Sequence, residues 1–219
     1  MFKHTYLKHI YENYCSIQSD INQHLPTLRH YASKCNTAIE LGVRGCISSY
    51  ALAYGLLENN NGDYKELLVN DINPCDVTQL VNATVNSNLK IKEIWCSDLE
   101  ITVDKNYDLV FIDTWHVYAQ LKRELAKFAP ITNKYIIMHD TTIDGVDGET
   151  IRNGWDAEKQ SETTGFTVDE INKGLWPAII EFLQNNTDWV LNHKFTNNNG
   201  LTILERINGV GETPIAPPV

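Results

Sequence analysis

The sequence of 219 residues predicts an α/β fold, a mostly parallel sheet with helices on both faces. Five short apolar runs alternate with segments of helical periodicity, which is typical of βα units. These runs are apolar throughout, as expected of parallel strands that are buried on both faces. Two more strand-like segments flank the turn sequence TNNNG near the C-terminus and predict an antiparallel hairpin.

The first elements along the chain are helical. Apolar residues recur every three to four positions from Thr5 to Ala32, which predicts one or two helices interrupted near Pro26. The predicted strands follow at 37–42, 66–71, 90–98, 110–113 and 135–140, and the predicted helices between them begin near 48 and cover 77–86 and 118–128. A last helix is predicted over 168–185, with a kink at Pro177, before the hairpin strands 187–195 and 200–207.

The polar, glycine-containing segment 144–165 is longer than most connections, and we predict an active-site flap at about 141–165. The expected organisation is a helical segment, 1–34, that packs on a core domain, 35–207, followed by a flexible tail, 208–219.

The composition excludes several classes of partner. A net charge of -10 argues against a nucleic-acid backbone as the main partner, because that surface selects lysine and arginine. The chain has no apolar run of about eighteen residues that would span a membrane, and its first residues are too polar for a signal peptide. Five cysteines without CxxC spacing predict reduced thiols and a cytoplasmic protein. The sequence is compatible with a homo-oligomer but does not specify one.

Acidic and imidazole side chains follow the predicted strands, at the edge of the sheet where ligands bind in such folds. The first strand runs into a turn with Gly42 and Gly45, which would let a ligand approach the backbone. The fingerprint of nicotinamide-binding domains is unmatched, since its first glycine is missing and Asp71 follows Gly42 too late. A nicotinamide oxidoreductase is therefore disfavoured.

Six segments in this order resemble the class I S-adenosylmethionine-dependent methyltransferases: AIELGVRGCISSYALA, LLVNDINP, IWCSDL, YDLVFIDTWHVYAQLKREL, YIIMHDT and GLTILERI. Within that class the chain is similar to small O-methyltransferases that act on sugars and glycosylated natural products. The resemblance spans about Ala38 to Ile207. It implies a Rossmann-like, doubly wound sheet of seven strands with the last strand antiparallel, in agreement with the hairpin.

The resemblance also implies which residues bind S-adenosylmethionine. The glycine turn and its neighbours would surround the methionine part, and an acid after each of the next two strands would bind the ribose and lie near the adenine. Two acceptor oxygens on one carboxylate suit the ribose diol. The implied cofactor-binding residues are Glu40, Gly42, Gly45, Ser48, Asp71, Ser97, Asp98 and Asp113.

The same resemblance implies that Asp113 binds a divalent metal and that His116 is the general base. Asp140 would be a second metal ligand, but His139 stands where metal-dependent members usually carry another carboxylate. Three alternatives remain open: Mg²⁺ held by Asp113, Asp140 and waters, a softer metal that also uses His139, or no metal.

The implied activity is transfer of a methyl group to a hydroxyl of a small-molecule or glycan acceptor. One alternative keeps the reaction and changes the acceptor to a catechol or another phenol, which ionises more readily. The other is a nonenzymatic scaffold with a methyltransferase-like fold. Retention of Asp71, Asp98, Asp113 and Asp140 together argues against the scaffold.

Overall fold

The computed structural model describes residues 5–61 and 64–207, so the predicted tail lies outside the described residues. The described helices are α1 Thr5–Ser16, α2 Leu25–Ala32, α3 Ile47–Glu58, α4 Thr78–Thr84, α5 Tyr118–Phe128, α6 Glu149–Asn153, α7 Ala157–Thr164, α8 Val168–Asn172 and α9 Leu175–Asn185. The described strands are β1 Thr37–Leu41, β2 Lys65–Asp71, β3 Leu89–Trp95, β4 Tyr107–Ile112, β5 Thr132–His139, β6 Trp189–Phe195 and β7 Leu201–Arg206.

The seven strands form one sheet in the order β3-β2-β1-β4-β5-β7-β6. Strands β1 to β5 are parallel to one another, whereas β7 is antiparallel to both of its neighbours, β5 and β6. The predicted fold class is confirmed, including the seven strands and the antiparallel last strand. Because β1 to β5 are parallel, their carboxyl ends meet at one edge of the sheet.

Successive residues of each strand point to opposite faces, so the sheet has a hydrophobic core on each side. Ala38 of β1 packs in the cluster that includes residues of α1, α2 and α3, while its neighbour Ile39 packs in the cluster with α5 and α9. Leu7 and Leu28 are fully buried, so both N-terminal helices contribute to the first cluster.

The structure differs from the predicted positions of two helix breaks at prolines. Pro26 lies in the first turn of α2, so the break between the N-terminal helices precedes this residue. Pro177 also lies in a first turn, that of α9, where the missing N–H costs no hydrogen bond. The break comes earlier, at Gly174, where a Cβ would stand 2.4 Å from the carbonyl oxygen of Asp144. The prediction of one kinked helix over 168–185 is therefore wrong.

The predicted flap contains two short helices, α6 and α7. Backbone hydrogen bonds fasten its first part to the connection between α8 and α9: Gly148 N donates to Asn172 O at 2.8 Å, and Gly174 N donates to Val146 O at 2.8 Å.

Among residues 5–61 and 64–207, no helix combines the length and apolar character that a membrane crossing requires.

Candidate active site

A cavity of about 940 Å³ lies at the carboxyl ends of the parallel strands. Most of the residues predicted for the site line it: Gly42, Gly45, Ser48, Asp71, Ser97, Asp98, Asp113, His116 and Asp140. Glu40 and His139 do not line this cavity, and their side chains are buried. The strand order explains the convergence, because β2, β1, β4 and β5 are neighbours in the sheet.

The glycine turn after β1 packs directly against the end of β4. Gly42 has φ of +87°, and a Cβ there would stand 2.0 Å from the carbonyl oxygen of Asp113. Both the positive φ and the contact therefore require glycine. The next two N–H groups, of Val43 and Arg44, each donate to Asp71 Oδ2 at 3.0 Å. A Cβ at Gly45 would meet nothing within 4 Å, which leaves open space beside the turn.

Glu40 supports this turn from inside the protein. Its carboxylate is fully buried and accepts hydrogen bonds from Ser48 Oγ at 2.5 Å and Ser49 Oγ at 2.6 Å, both in the first turn of α3. Burial raises the pKa of Glu40 to about 7, although the two hydroxyl bonds oppose the shift. Glu40 therefore stabilises the start of α3 through these two hydrogen bonds and does not itself line the cavity.

Asp71 ends β2 as an ionised carboxylate. Burial disfavours its charge, but hydrogen bonds from the backbone N–H groups of Asn73, Arg44 and Val43 outweigh that effect and lower its pKa. The Asn73 N–H donates to Oδ1 at 3.0 Å. A side chain that stays ionised at the cavity wall can accept further hydrogen bonds from a ligand's hydroxyl groups.

Asp98 belongs to a buried acid pair that the sequence did not reveal. Gln120 Nε2 donates to its Oδ1 at 3.0 Å and its Oδ2 at 3.2 Å, and also to Glu124 Oε1 at 3.0 Å. Burial and the neighbouring Asp98 raise the pKa of Glu124 well above its ordinary value, and burial also raises the pKa of Asp98. The available signal was the spacing of Gln120, Glu124 and Phe128, which places all three on the buried face of α5.

His116 lies among four carboxylates. Its Nε2 is 3.2 Å from both Asp113 Oδ1 and Asp140 Oδ2. Its Nδ1 is 3.4 Å from Asp144 Oδ2 and 3.5 Å from Glu149 Oε2, contacts too poorly directed to satisfy this buried atom as hydrogen bonds. Burial alone would lower the pKa of His116, but the surrounding carboxylates, with Asp113 and Asp144 foremost, raise it well above its ordinary value.

Asp144 and Glu149 come from the predicted flap. Asp144 is fully buried, and the Arg152 guanidinium donates to both of its oxygens, from Nε at 2.5 Å and from Nη2 at 2.8 Å. The backbone also joins the flap to the site, since Glu149 N donates to His116 O at 2.9 Å. No spacing in the sequence indicated these contacts.

His139 is nearly fully buried and contacts the hairpin turn between β6 and β7. Its Nε2 lies 3.2 Å from the carbonyl oxygen of Asn198, and a carbonyl can only accept, so Nε2 carries a hydrogen. Its Nδ1 lies 3.3 Å from Asp113 Oδ1 and 3.4 Å from Asp140 Oδ2. Burial opposes the charged form, but the two carboxylates raise the pKa of His139 to about 10.

Two overlapping groups of side chains have donor atoms within 4.8 Å of one another, as a metal site requires. One consists of Asp113, His139 and Asp140, and the other of His116, Asp140 and Asp144. Asp140 belongs to both and adopts a left-handed backbone conformation, with φ of +57°. Its Oδ1 is buried without a hydrogen-bond partner among the described residues, so it has a free lone pair for a cation.

Neither a protein-family model nor a curated protein sequence matches this chain. Solved methyltransferase structures do. The O-methyltransferase from Bacillus cereus in complex with S-adenosylhomocysteine is 12% identical, with 91% of this chain and 90% of that chain covered and a TM-score of 0.56. The chain has a methyltransferase fold.

Two further structures agree. The O-methyltransferase TomG from Streptomyces achromogenes, involved in tomaymycin synthesis and bound to S-adenosylmethionine, is 12% identical over 94% of this chain and 90% of that chain, with a TM-score of 0.56. The N-methyltransferase NodS from Bradyrhizobium japonicum, bound to S-adenosylhomocysteine, is 12% identical over 94% and 99%, with a TM-score of 0.57. At these identities the likeness extends to the fold alone.

Proposed function

We propose that this protein is an S-adenosylmethionine-dependent O-methyltransferase that transfers a methyl group to a hydroxyl of a sugar or of a glycosylated small molecule. One observation carries the proposal: the largely buried imidazole of His116, whose side chain is 13% exposed, lines the same cavity as the glycine turn at Gly42 and the carboxylate of Asp71. The cavity thus offers both an anchor for the cofactor and a base for the acceptor.

The cofactor would extend along the strand ends. Its methionine part would lie against Gly42, Gly45 and Ser48, and its ribose hydroxyls would donate to Asp71, which backbone N–H groups keep ionised. The adenine amino group would lie at Asp98, which together with Ser97 lines the far part of the cavity. Cofactor or product bound to proteins of this fold supports the assignment.

The chain's own part in the reaction is alignment and proton removal. A sugar hydroxyl is a poor nucleophile near neutral pH, and His116 Nε2 would accept its proton as the methyl group is transferred. Asp144 and Glu149, which face Nδ1, would stabilise the imidazolium that forms. The carboxylates favour the protonated imidazole, and the positive sulfonium of a bound cofactor, together with a cation at Asp113 and Asp140, would oppose that protonation as the base form requires.

The residues between the two strand ends fit a divalent metal. Asp113 and Asp140 would hold it, and the unpartnered buried Oδ1 of Asp140 supports this. A bound divalent cation lowers the pKa of a coordinated hydroxyl. Because the Nε2 hydrogen of His139 is committed to Asn198, a neutral His139 would present the lone pair of Nδ1 toward these carboxylates.

The decisive experiment replaces His116 with alanine and with glutamine. Methyl transfer from labelled cofactor to methyl glycosides of glucose, galactose, mannose and rhamnose should fall by a factor of about a hundred to ten thousand, the range for loss of a general base. Calorimetric affinity for S-adenosylmethionine should stay nearly unchanged. Asp71→Asn is the contrasting variant, because loss of a charged acceptor should weaken cofactor binding by about tenfold to a hundredfold. A large loss of cofactor affinity in the His116 variants would overturn the assignment of the base.

A phenolic acceptor is the second candidate, because aromatic side chains line the acceptor end of the cavity. Trp115 and Phe166 stack with ring centroids 6.3 Å apart and planes inclined by 16°. A flat ring could pack beside them. Phenols ionise more readily than sugar hydroxyls, so His116→Ala would slow methylation of a catechol much less than methylation of a glycoside.

A further inference from the structure

We infer that a cleft beside the catalytic cavity binds a second, uncharged sugar ring of the acceptor, next to the ring that is methylated. The inference rests on the proposed function and specifies its substrate as at least a disaccharide or a diglycosylated compound. The cleft has a volume of about 430 Å³, and two indole rings, of Trp115 and Trp155, form part of its wall. It lies between the end of β4 and the helix α7.

The cleft adjoins the catalytic cavity. Trp115, Thr163 and Thr164 line both, so a ligand that extends over these side chains would contact the two sites at once. Trp115 also directly precedes His116 in the chain. A ring in the cleft would therefore be adjacent to a ring whose hydroxyl is at His116.

The side chain of Trp155 is unusually exposed for a tryptophan. Trp155 is 46% exposed, although large aromatic side chains are normally highly buried. Its backbone is fixed, since Trp155 N donates to Thr150 O at 2.9 Å after the left-handed turn at Gly154. An exposed aromatic on a fixed backbone at the mouth of an active site is typical of a ligand-binding surface.

Two donors at the cleft have no partner within residues 5–61 and 64–207. Gln160 Oε1 accepts from Thr150 Oγ1 at 2.9 Å, whereas the amide NH₂ of Gln160 bonds to none of these residues. Thr163 and Thr164 donate their hydroxyl hydrogens to carbonyl oxygens within α7, at 2.9 and 2.8 Å. The ammonium of Lys159 forms no ion pair with any residue of the described ranges.

These features fit a neutral pyranose. Its apolar face can pack on an indole, while its ring and hydroxyl oxygens accept from the Gln160 amide and the Lys159 ammonium. A flat aromatic ring would leave both donors without a partner. An anionic ring is disfavoured because Asp156 lines the same cleft as Lys159, so the local charges offset each other.

The test compares each methyl monoglycoside with its methyl 1,4-linked disaccharide, on wild type and on Trp155→Ala. On wild type, the disaccharide should have a KM about tenfold lower, equivalent to about 1.4 kcal/mol. Trp155→Ala should remove this advantage while kcat on the monoglycoside and the affinity for S-adenosylhomocysteine stay unchanged. Trp155→Phe should keep most of the advantage. Ile180→Ala, at an exposed apolar residue of α9, is the matched control and should behave as wild type.

Binding is measured separately by saturation-transfer NMR with the same glycosides and the S-adenosylhomocysteine complex. If glycosides are methylated but Trp155→Ala treats the two lengths as wild type does, the cleft inference fails and the proposed function stands. If no glycoside is methylated but the disaccharide binds in a Trp155-dependent way, the cleft stands and the proposed reaction fails. Absence of both turnover and Trp155-dependent binding overturns both.

Discussion

Replacement of Glu40 by glutamine should make the protein more stable at alkaline pH. Glutamine has nearly the shape of the protonated acid, and its amide can still bond with Ser48 and Ser49, which now donate to the carboxylate at 2.5 and 2.6 Å. The substitution therefore removes a fully buried charge and keeps the packing. The wild type must bury that charge whenever the pH exceeds the pKa of Glu40.

The size of the effect follows from the pKa of about 7 in the folded protein, raised by burial from an ordinary value of 4.5. The folded state holds this proton more tightly than the unfolded state, so stability from this group is greatest at acid pH and declines as the pH rises between the two values. The free energy of unfolding declines by about 3 kcal/mol in total, at about 1.4 kcal/mol for each unit by which the two pKa values differ. Between about pH 5.5 and about pH 8, the advantage of Glu40→Gln over wild type should widen by about 2 kcal/mol.

Urea unfolding at these two pH values, followed by tryptophan fluorescence, measures the difference directly. Glu162→Gln, at an exposed position of α7, is the matched control and should show no such widening. Subtracting variant from wild type removes the contribution of every other titrating group that the two proteins share. A difference that stays constant or narrows with rising pH would refute the account of Glu40 as a buried charge.

Two further predictions concern the metal and the glycine turn. Exhaustive chelation with EDTA should remove most methyl transfer and added Mg²⁺ should restore it, since Asp113 and Asp140 fit a divalent ion; full activity after chelation would remove the metal from the mechanism. Gly42→Ala should lower the free energy of unfolding by about 3 kcal/mol or more, because the new Cβ would stand 2.0 Å from Asp113 O at a φ of +87°. Gly165→Ala, at a φ of +73° with nothing within 4 Å, should lose only about 1–2 kcal/mol in thermal unfolding.

The sequence could predict those site residues that follow the strands. The placement of Asp71, Asp113 and His116 at one edge of the sheet needed only the rule that parallel strands present their carboxyl ends there, because the strands themselves were evident as apolar runs. The roles of these residues are implied by the resemblance and stay predictions. Asp144 and Glu149 could not be predicted. The flap that carries them is held by long-range backbone bonds, such as Gly148 N to Asn172 O at 2.8 Å, and no local pattern encodes such pairings.

The hairpin turn illustrates the same limit. The sequence TNNNG predicts a turn between two strands, yet the turn also contacts the N-terminal segment and the site. Asn198 Oδ1 accepts from Gln23 N at 2.9 Å, and Asn198 Nδ2 donates to Ser19 O at 2.8 Å. These bonds fix the position of the Asn198 carbonyl, which accepts from His139. Asn198 has φ of +46°, a conformation that asparagine tolerates better than most residues.

This fixed carbonyl constrains the role of His139. With Nε2 committed as a donor, only Nδ1 can change its state, and it lies 3.3 Å from Asp113 and 3.4 Å from Asp140. Without a metal, the raised pKa keeps a proton on Nδ1, and the imidazolium carries the positive charge between the two carboxylates. With a metal that uses Nδ1, the ion replaces that proton, and binding should tighten as the pH rises. In both cases the ring keeps the same orientation, because the bond to the hairpin turn does not depend on what Nδ1 binds.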